Sequence, residues 1–265
     1  MNVVYVESIS YAAPGLPDWQ TVTSALRGEH AYVASELPVY QPTLLPPNER
    51  RRASPTVRLA FRVAEAATDS SSIPAAELAA VFASSDGDLS IAQRICTALA
   101  KTQRLISPTD FHNSVHNAAA GYWSIASAAQ GPSTSIAAFD HSFAVGLMEA
   151  IGLVLVEQQA TLLVAYDVPS PTPLHSKRPL SAPVGVGLVL TPQHTPNTLA
   201  TLRITTTNTP PTTMQDVKLE ALRLGNPAAR ALPLLQLLAN QQTGIVVLSL
   251  PNATSVAVHV VDDRS

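Results

Sequence analysis

The chain has 265 residues, enough for one large domain or two modest ones that bury roughly three quarters of the unfolded surface. Its formal net charge is only −3, which argues against a basic face able to neutralise phosphates and excludes nucleic acid as a partner class. Charged residues form 13% of the chain, against about 25% in ordinary globular domains. This shortage of charge predicts that another subunit covers part of the surface.

Strand-like and helical segments alternate through the first two thirds of the chain. A strand over 2–10 and a helix over 18–28 precede a Pro-rich surface excursion over 30–50. Ser54 is the candidate N-cap of the next helix, over 54–68, with Pro55 at its first position. The remaining segments are strand 78–85, helix 88–101, helix 117–130, strand 133–139, helix 142–157 and strand 160–167. Continuous apolar strands in this alternation predict a largely parallel sheet covered on both faces.

The character of the sequence changes after Asp167. A Pro-rich loop leads to the last predicted elements, which are strands 183–191 and 199–209, helix 227–241, and strands 244–250 and 254–261. No repeat of 20–50 residues is present. The Pro- and Thr-rich stretch 191–213 is the candidate boundary between a region over 1–191 and a region over 192–265.

The cysteine content and the N-terminus indicate a compartment. Cys96 is the single cysteine, so it forms no internal disulfide, and its place in a helix with an apolar face predicts a packing role. The chain begins with a strand-like segment rather than a basic and then apolar leader, and no segment has 18 consecutive apolar residues. We therefore expect a soluble cytoplasmic protein that does not insert into the membrane.

The segment AAFDHSFAVG, residues 137–146, joins a predicted strand to a predicted helix, where many enzymes place a nucleophile. The turn contains Asp140 and His141 but no Ser or Cys before the helix. A helix N-cap is the simplest role for Asp140, and a cap can also line a pocket. His141 could serve as a general base, but adjacent residues at a helix start need not face each other, so a structural or surface role is the default.

Two further histidines have the spacing of helical metal ligands. His112 and His116 are four residues apart in FHNSVHN, with Asp110 nearby. No Cys or carboxylate motif completes a ligand set around them. We therefore predict no metal and no other cofactor.

Basic residues are concentrated before and within the helix over 54–68. Arg58 and Arg62 are four residues apart and share a helix face, and Arg50, Arg51 and Arg52 lie just before it. A solvated helix face is one interpretation of this cluster. Attachment of an acidic partner is the other.

Four segments resemble, in order and spacing, the N-terminal half of beta-ketoacyl synthases. They are FHNSVHNAAAGYWSIA (111–126), GPSTSIAAFDHSFAVGLMEA (131–150), LLVAYDVPSP (162–171) and PVGVGLVL (183–190). The chain is most similar to the short ketosynthase-like proteins of aryl polyene or xanthomonadin-type pathways. The resemblance implies an α/β, thiolase-like layered fold, with a ketosynthase-like N-terminal domain over 1–191 and a much shortened second half over 192–265 packing on it.

The resemblance also implies what chemistry is missing. In active ketosynthases the segment matching 131–147 carries a Cys nucleophile, and the ungapped register places Asp140 at that degenerate position. Two histidines normally come from the second half, where only His194 and His259 are present, and neither lies in a similar motif. A carboxylate accepts an acyl group poorly, because the mixed anhydride would be far more reactive than a thioester. We expect no independent condensing activity.

Three functional hypotheses follow from the resemblance and the residues. The first is a non-condensing accessory subunit in type II fatty acid or polyketide synthesis of aryl polyenes, comparable to a chain length factor, that holds or shapes a carrier-protein-bound acyl chain. The second is an acyl-thioester hydrolase or dehydratase that uses Asp140 with His112, His116 or His141. The third is a purely structural dimerisation partner.

The resemblance implies two partners. An acyl carrier protein, which is acidic, would bind the arginines Arg50, Arg51, Arg58 and Arg62. A second subunit, either a copy of this chain or a ketosynthase, would pair antiparallel with an edge strand that contains Ser133, Ser135, Ile136 and Ala138. An uncovered edge of this kind would be a template for aggregation, so a partner would also protect it.

Overall fold

The computed structural model of the chain describes residues 3–261, so Asn2, the first residue of the first predicted strand, lies outside the described range. The strands are β1 (Val4–Ala12), β2 (Ala79–Ala83), β3 (Ser133–Ile136), β4 (Thr161–Asp167), β5 (Val184–Thr191), β6 (Ala200–Thr207), β7 (Gly244–Ser249) and β8 (Ser255–Val261). The helices are α1 (Trp19–Leu26), α2 (Pro47–Arg52), α3 (Pro55–Asp69), α4 (Leu89–Leu99), α5 (Pro108–Asn113), α6 (Ala118–Ser127), α7 (Ser142–Val156), α8 (Val217–Gly225) and α9 (Leu232–Ala239).

The strands form one sheet in the order β3-β2-β4-β5-β1-β6-β8-β7. Only the β2–β3 and β2–β4 pairs are parallel, and the other five pairs are antiparallel. The prediction of a largely parallel sheet is therefore wrong. Central strands that are buried on both faces have continuous apolar sequences whichever way they run, so this pattern reports burial and not direction. Through the β1–β6 pair, the strands after residue 191 extend the same sheet.

The central strands are covered on both faces, as the α/β layered prediction requires. Successive residues of β2 alternate between two apolar clusters, with Val81 and Ala83 in one and Ala80 and Phe82 in the other. Helix α7 packs on the first face, and α3 and α6 pack on the second. The layered α/β architecture is confirmed.

Helix α3 forms as its sequence predicts and lies very close to the sheet. The Ser54 side chain caps it by accepting a hydrogen bond from the Val57 amide at 3.3 Å, with Pro55 at the first position. Beneath it, a Cβ atom on Gly187 of β5 would lie 2.6 Å from the Val63 carbonyl oxygen. Glycine at this position therefore permits the close approach of helix and strand.

Several local predictions need correction. The short helices α2, α5 and α8 were not predicted. Strand β3 ends at Ile136 rather than at residue 139, because the chain turns into a short 3₁₀ helix over Phe139–His141. Cys96 is exposed on α4, whose one buried residue is Ile91, so its predicted packing role is wrong.

The stretch Phe139–Val156, which includes α7, is long and apolar enough to cross a membrane by length and composition alone. However, 44% of it is buried inside the protein, and Phe143, Leu147 and Ile151 belong to the apolar cluster on the first face of the sheet. A buried helix at the centre of a globular fold has the same composition. The stretch is therefore weak evidence for a membrane span.

Candidate functional site

The parallel part of the sheet brings three acidic residues together. Because β2, β3 and β4 run in the same direction, their carboxyl ends meet at one edge, the usual place for ligands in α/β proteins. Asp86 follows β2, Asp140 follows β3, and Asp167 is the last residue of β4. Arg178, in the loop that connects β4 to β5, lies among them.

Arg178 forms the centre of this site. Its Nε donates to Asp86 Oδ2 at 2.8 Å, and its Nη1 donates to Asp140 Oδ1 at 2.7 Å. The Phe139 ring lies 3.8 Å from the guanidinium carbon, a cation–π contact. Burial lowers the pKa of Arg178, but the hydrogen bonds and charges of Asp86 and Asp140 outweigh burial and raise the pKa overall. Asp140 is therefore held as the partner of a permanently charged guanidinium.

The turn that carries Asp140 is stabilised by the side chain of Ser142, whereas the sequence predicted a capping role for Asp140 itself. Phe139 has a φ of 52°, in the left-handed region that non-glycine residues rarely adopt. The Ser142 hydroxyl donates to the Phe139 carbonyl at 2.7 Å and accepts from the Ala138 amide at 3.0 Å. The interpretation of Asp140 as a helix N-cap is wrong, because it lies inside the 3₁₀ turn before α7 and its carboxylate points to Arg178.

His141 is directed away from Asp140. Its Nδ1 lies 3.1 Å from both the carbonyl and the hydroxyl oxygen of Ser249, at the end of β7. A cavity of about 10 Å³ separates the turn from Arg223 and Arg230, which is room for about one water molecule. This cavity has no space for an acyl group, whereas the Asp140 side chain is 39% exposed to solvent on the outer side of the turn.

The other histidines do not reach Asp140 either. His116 Nε2 lies 2.9 Å from the Ser84 carbonyl oxygen, and the His112 ring packs edge-on against Tyr122. The helical spacing of this pair is not realised, because α5 ends at Asn113 and leaves His116 in the following turn. Within residues 3–261, no group of three or more His, Cys, Asp or Glu side chains is placed to hold a metal ion.

The two histidines of the second half are held elsewhere in the fold. The His259 Nε2 bonds the Thr205 hydroxyl at 2.9 Å, on strands β8 and β6. The His194 ring packs edge-on against Tyr5 of β1. Neither therefore replaces a ketosynthase histidine beside Asp140.

Asp167 is a buried acid that sequence reasoning missed. Its Oδ1 accepts from the Ser84 hydroxyl at 3.0 Å and from the Ser85 amide and hydroxyl at 2.8 and 2.9 Å, whereas its buried Oδ2 has no partner among the described residues. Burial raises the pKa of Asp167 to about 7, although the hydrogen bonds from Ser85 and Ser84 lower it in part. The available signal was an acid at the end of the wholly buried strand TLLVAYD.

Three of the four arginines proposed for the carrier protein support the backbone. They donate to carbonyl oxygens of nearby loops: Arg50 to Thr43 and Leu45, Arg58 to Arg50 and Ala53, and Arg62 to Pro17 and Pro38. Arg51 is exposed and bonds only the side chain of Asn48. The interpretation as a solvated face therefore fits Arg51 and Arg52, whose side chain is 59% exposed, and not Arg50, Arg58 or Arg62.

The residues proposed for subunit pairing lie at the end of the sheet. Ser133, Ser135 and Ile136 belong to β3, which among the described residues pairs only with β2, and Ala138 follows the strand. The two helices that pack against β3 leave Ile125 82% exposed and Val156 76% exposed. One edge of the sheet is therefore unpaired and flanked by apolar side chains.

The raised pKa of Asp167 predicts a pH dependence of stability. The folded state keeps the carboxyl proton that the unfolded state, with a pKa of about 3.9, releases. The free energy of unfolding should therefore fall as the pH rises from about 4 to about 7, by a few kcal/mol at most. Urea denaturation across this range should show a negative slope that Asp167→Asn reduces. Equal slopes in the two proteins would contradict a raised pKa.

Comparison with known proteins identifies the family. A family model described as beta-ketoacyl synthase, N-terminal domain, matches residues 19–248, which is most of the chain. No curated protein sequence matches the chain. The match continues past residue 191 and includes β6, α8, α9 and most of β7.

Three solved complexes contain a chain that superposes on this one nearly from end to end. One is the ketosynthase (ApeO) in complex with its chain length factor (ApeC) from Xenorhabdus doucetiae, with a TM-score of 0.72, 24% identity, and coverage of 97% of this chain and 99% of that chain. The ishigamide ketosynthase/chain length factor has a TM-score of 0.75, 13% identity, and coverage of 97% and 99%. The AntDE:AntF complex, a type II PKS acyl-carrier protein with its ketosynthase, has a TM-score of 0.75, 10% identity, and coverage of 97% and 98%.

A further solved structure, a beta-ketoacyl synthase from Burkholderia phymatum STM815, has a TM-score of 0.59 at 14% identity, and the match covers 86% of this chain and 71% of that chain. At these identities the similarity establishes the fold. The family model establishes membership, because it spans far more than half of the sequence. The chain therefore belongs to the beta-ketoacyl synthase N-terminal domain family and has the thiolase-like fold.

Proposed function

We propose that this chain is a non-condensing, ketosynthase-like accessory subunit, comparable in role to a chain length factor, that holds or shapes a carrier-protein-bound acyl chain. The ion pair between Asp140 and Arg178 carries this proposal. It occupies the turn at which the family resemblance places the Cys nucleophile of active ketosynthases. The chain keeps the fold of the family, but this turn holds an ion pair where active ketosynthases carry a nucleophile.

The site opposes covalent acyl transfer in two ways. The Asp140 carboxylate is neutralised by a guanidinium, which reduces its nucleophilicity. Among the described residues, no histidine hydrogen-bonds Asp140 to activate it.

The two alternative functions receive less support. A hydrolase or dehydratase needs Asp140 and a histidine within hydrogen-bond reach of one substrate atom, but His141 faces Ser249 and His116 faces the Ser84 carbonyl. A purely structural partner would share the edge strand and the ion-paired turn. It would differ from the accessory subunit only in having no influence on the product that the complex with the ketosynthase forms.

We propose a ketosynthase as the partner subunit, paired antiparallel along β3. The matched chains in the ketosynthase/chain length factor complexes are covered almost completely, so they are about as long as this one. The unpaired edge and the exposed Ile125 and Val156 supply an apolar surface for an obligate interface, which would bury on the order of 2,000 Å² or more. A homodimer would use the same edge and is the alternative.

An acyl carrier protein is the second proposed partner, and one matched complex contains such a protein by its description. Arg51 is exposed and able to attract an acidic surface, while Arg50, Arg58 and Arg62 fix the backbone behind it. We place the subunit in the cytoplasm and in a type II pathway of the aryl polyene kind, without insertion into a membrane.

Asp140→Asn tests the role of the ion pair. We expect it to lower the free energy of unfolding by about 1–2 kcal/mol, because Arg178 keeps Asp86 but loses one charged partner. Product formation by the complex with the ketosynthase should stay within about two-fold, and the chain alone should condense no acyl and malonyl carrier-protein substrates.

The matched control is Asp110→Asn, which breaks the pair with Arg94, whose side chain is 54% exposed against 12% for Arg178, and should cost less than about 1 kcal/mol. Loss of product formation in Asp140→Asn, with folding intact, would instead favour the hydrolase or dehydratase. Ketoacyl product from the purified chain alone would overturn the proposed function. A complex whose product is the same with and without this chain would favour the purely structural role.

Ile136→Asp tests the interface. A charge at Ile136, the last residue of the edge strand, should abolish co-purification with the ketosynthase and reduce solubility, since the strand would pair poorly and its apolar surround would stay uncovered. Ile245→Asp, on the opposite edge strand β7 and 58% exposed, is the matched control and should leave the complex intact. Size-exclusion chromatography of the co-expressed pair measures both. Equal assembly of the two variants would exclude β3 as the pairing strand.

A further inference from the structure

A second cleft lies between α3 and the Pro-rich loop over residues 30–50. It shares no lining residue with the cavity at the Asp140 turn. It has a volume of about 370 Å³, at the lower end of the roughly 300–1,000 Å³ range of small-molecule sites. Its walls are mainly apolar and include Val39, Leu59 and Val168. The charged side chains in its lining are Arg58 and Arg62.

The Pro-rich loop forms one wall of this cleft, and side chains of α3 hold the loop in place. Glu65 is almost completely buried and accepts hydrogen bonds from the Thr43 amide at 3.0 Å, the Leu44 amide at 2.9 Å and the Tyr40 hydroxyl. Arg62 donates to the Pro38 carbonyl at 2.7 Å. Residues 31–46 of this loop have no regular secondary structure, but these side-chain contacts fix the loop over the cleft.

The charge of the two guanidinium groups is only partly balanced: the Arg62 guanidinium lies 5.8 Å from the centre of the Tyr40 ring, and the charge of Asp18 acts to raise the pKa of Arg62 against the larger lowering by burial. Arg58 uses Nε and Nη2, and Arg62 uses Nη1 and Nη2, to donate to neutral backbone carbonyls, so Arg58 Nη1 and Arg62 Nε have no bond to the protein. Neither forms a salt bridge within residues 3–261. Burial lowers the pKa of Arg62, which indicates that its charge is incompletely stabilised.

We propose that this cleft binds a small monocarboxylate with an apolar body, such as a medium-chain fatty acid. The carboxylate would accept hydrogen bonds from the free guanidinium N–H groups of Arg58 and Arg62, because a planar guanidinium matches carboxylate geometry. The apolar body would cover Val39, Leu59 and Val168. This site is separate from the Asp140 turn and does not depend on the accessory-subunit function.

Decanoate is the probe, measured against the purified full chain by isothermal titration calorimetry. Decanol has the same chain without the charge, and inorganic phosphate has charge without the chain. We expect decanoate to bind at least about ten-fold more tightly than either. Arg58→Met should weaken decanoate binding about ten-fold, whereas Arg51→Met, an equal charge change outside the cleft, should not.

A second pair of variants keeps the test valid if Arg58→Met loosens the fold. Val39→Asp places a negative charge on a lining side chain that is 75% exposed, and should weaken decanoate more than decanol, because both probes lose apolar contact but only the carboxylate is repelled. Val33→Asp, 65% exposed in the same segment but outside this cleft, should change neither. Equal binding of decanoate and decanol, tighter binding of phosphate than of decanoate, or equal effects of Val39→Asp and Val33→Asp would each overturn the proposal.

Discussion

The contact of one guanidinium with two carboxylates organises the functional end of this molecule. Arg178 is only 12% exposed at its side chain and joins Asp86, after β2, to Asp140, after β3. A guanidinium this far buried needs charged partners, because an unpaired charge in such a place costs several kcal/mol. The loops that follow the three parallel strands are therefore fixed relative to one another, and the same contact holds the Asp140 carboxylate, whose side chain is 39% exposed.

On the proposed function, this arrangement would let the family fold persist without the family reaction. The sheet, α3 and α7 hold the Asp140 turn in the position at which the resemblance places the nucleophile of ketosynthases. Phe139 has a left-handed backbone conformation directly before Asp140, and its ring packs on Arg178. A rigid scaffold with an ion-paired site suits a subunit that positions another protein, as we propose, and the unpaired edge at β3 lies directly before that turn.

Part of this picture was available from the sequence, because local patterns determine it. Ser54 and Pro55 predicted the start of α3, and the register of the family segments identified Asp140 as the informative residue. Strand direction was not available, since burial on both faces gives β5 a continuous apolar sequence in either orientation. Arg178 was not available either, because it lies 38 residues from Asp140 in a Pro-rich loop with no periodic pattern. The same limit applies to Arg62, whose spacing suggested a solvated face although its partners are distant carbonyls.

We propose that no acyl group is held covalently at the Asp140 turn. Intact-protein mass spectrometry tests this most directly, with the co-purified pair of this chain and its ketosynthase incubated with an acyl carrier-protein thioester. We expect an acyl adduct on the ketosynthase and an unchanged mass for this chain, since its carboxylate is ion-paired with Arg178. An acyl adduct on this chain that maps to Asp140 and is lost in Asp140→Asn would contradict it.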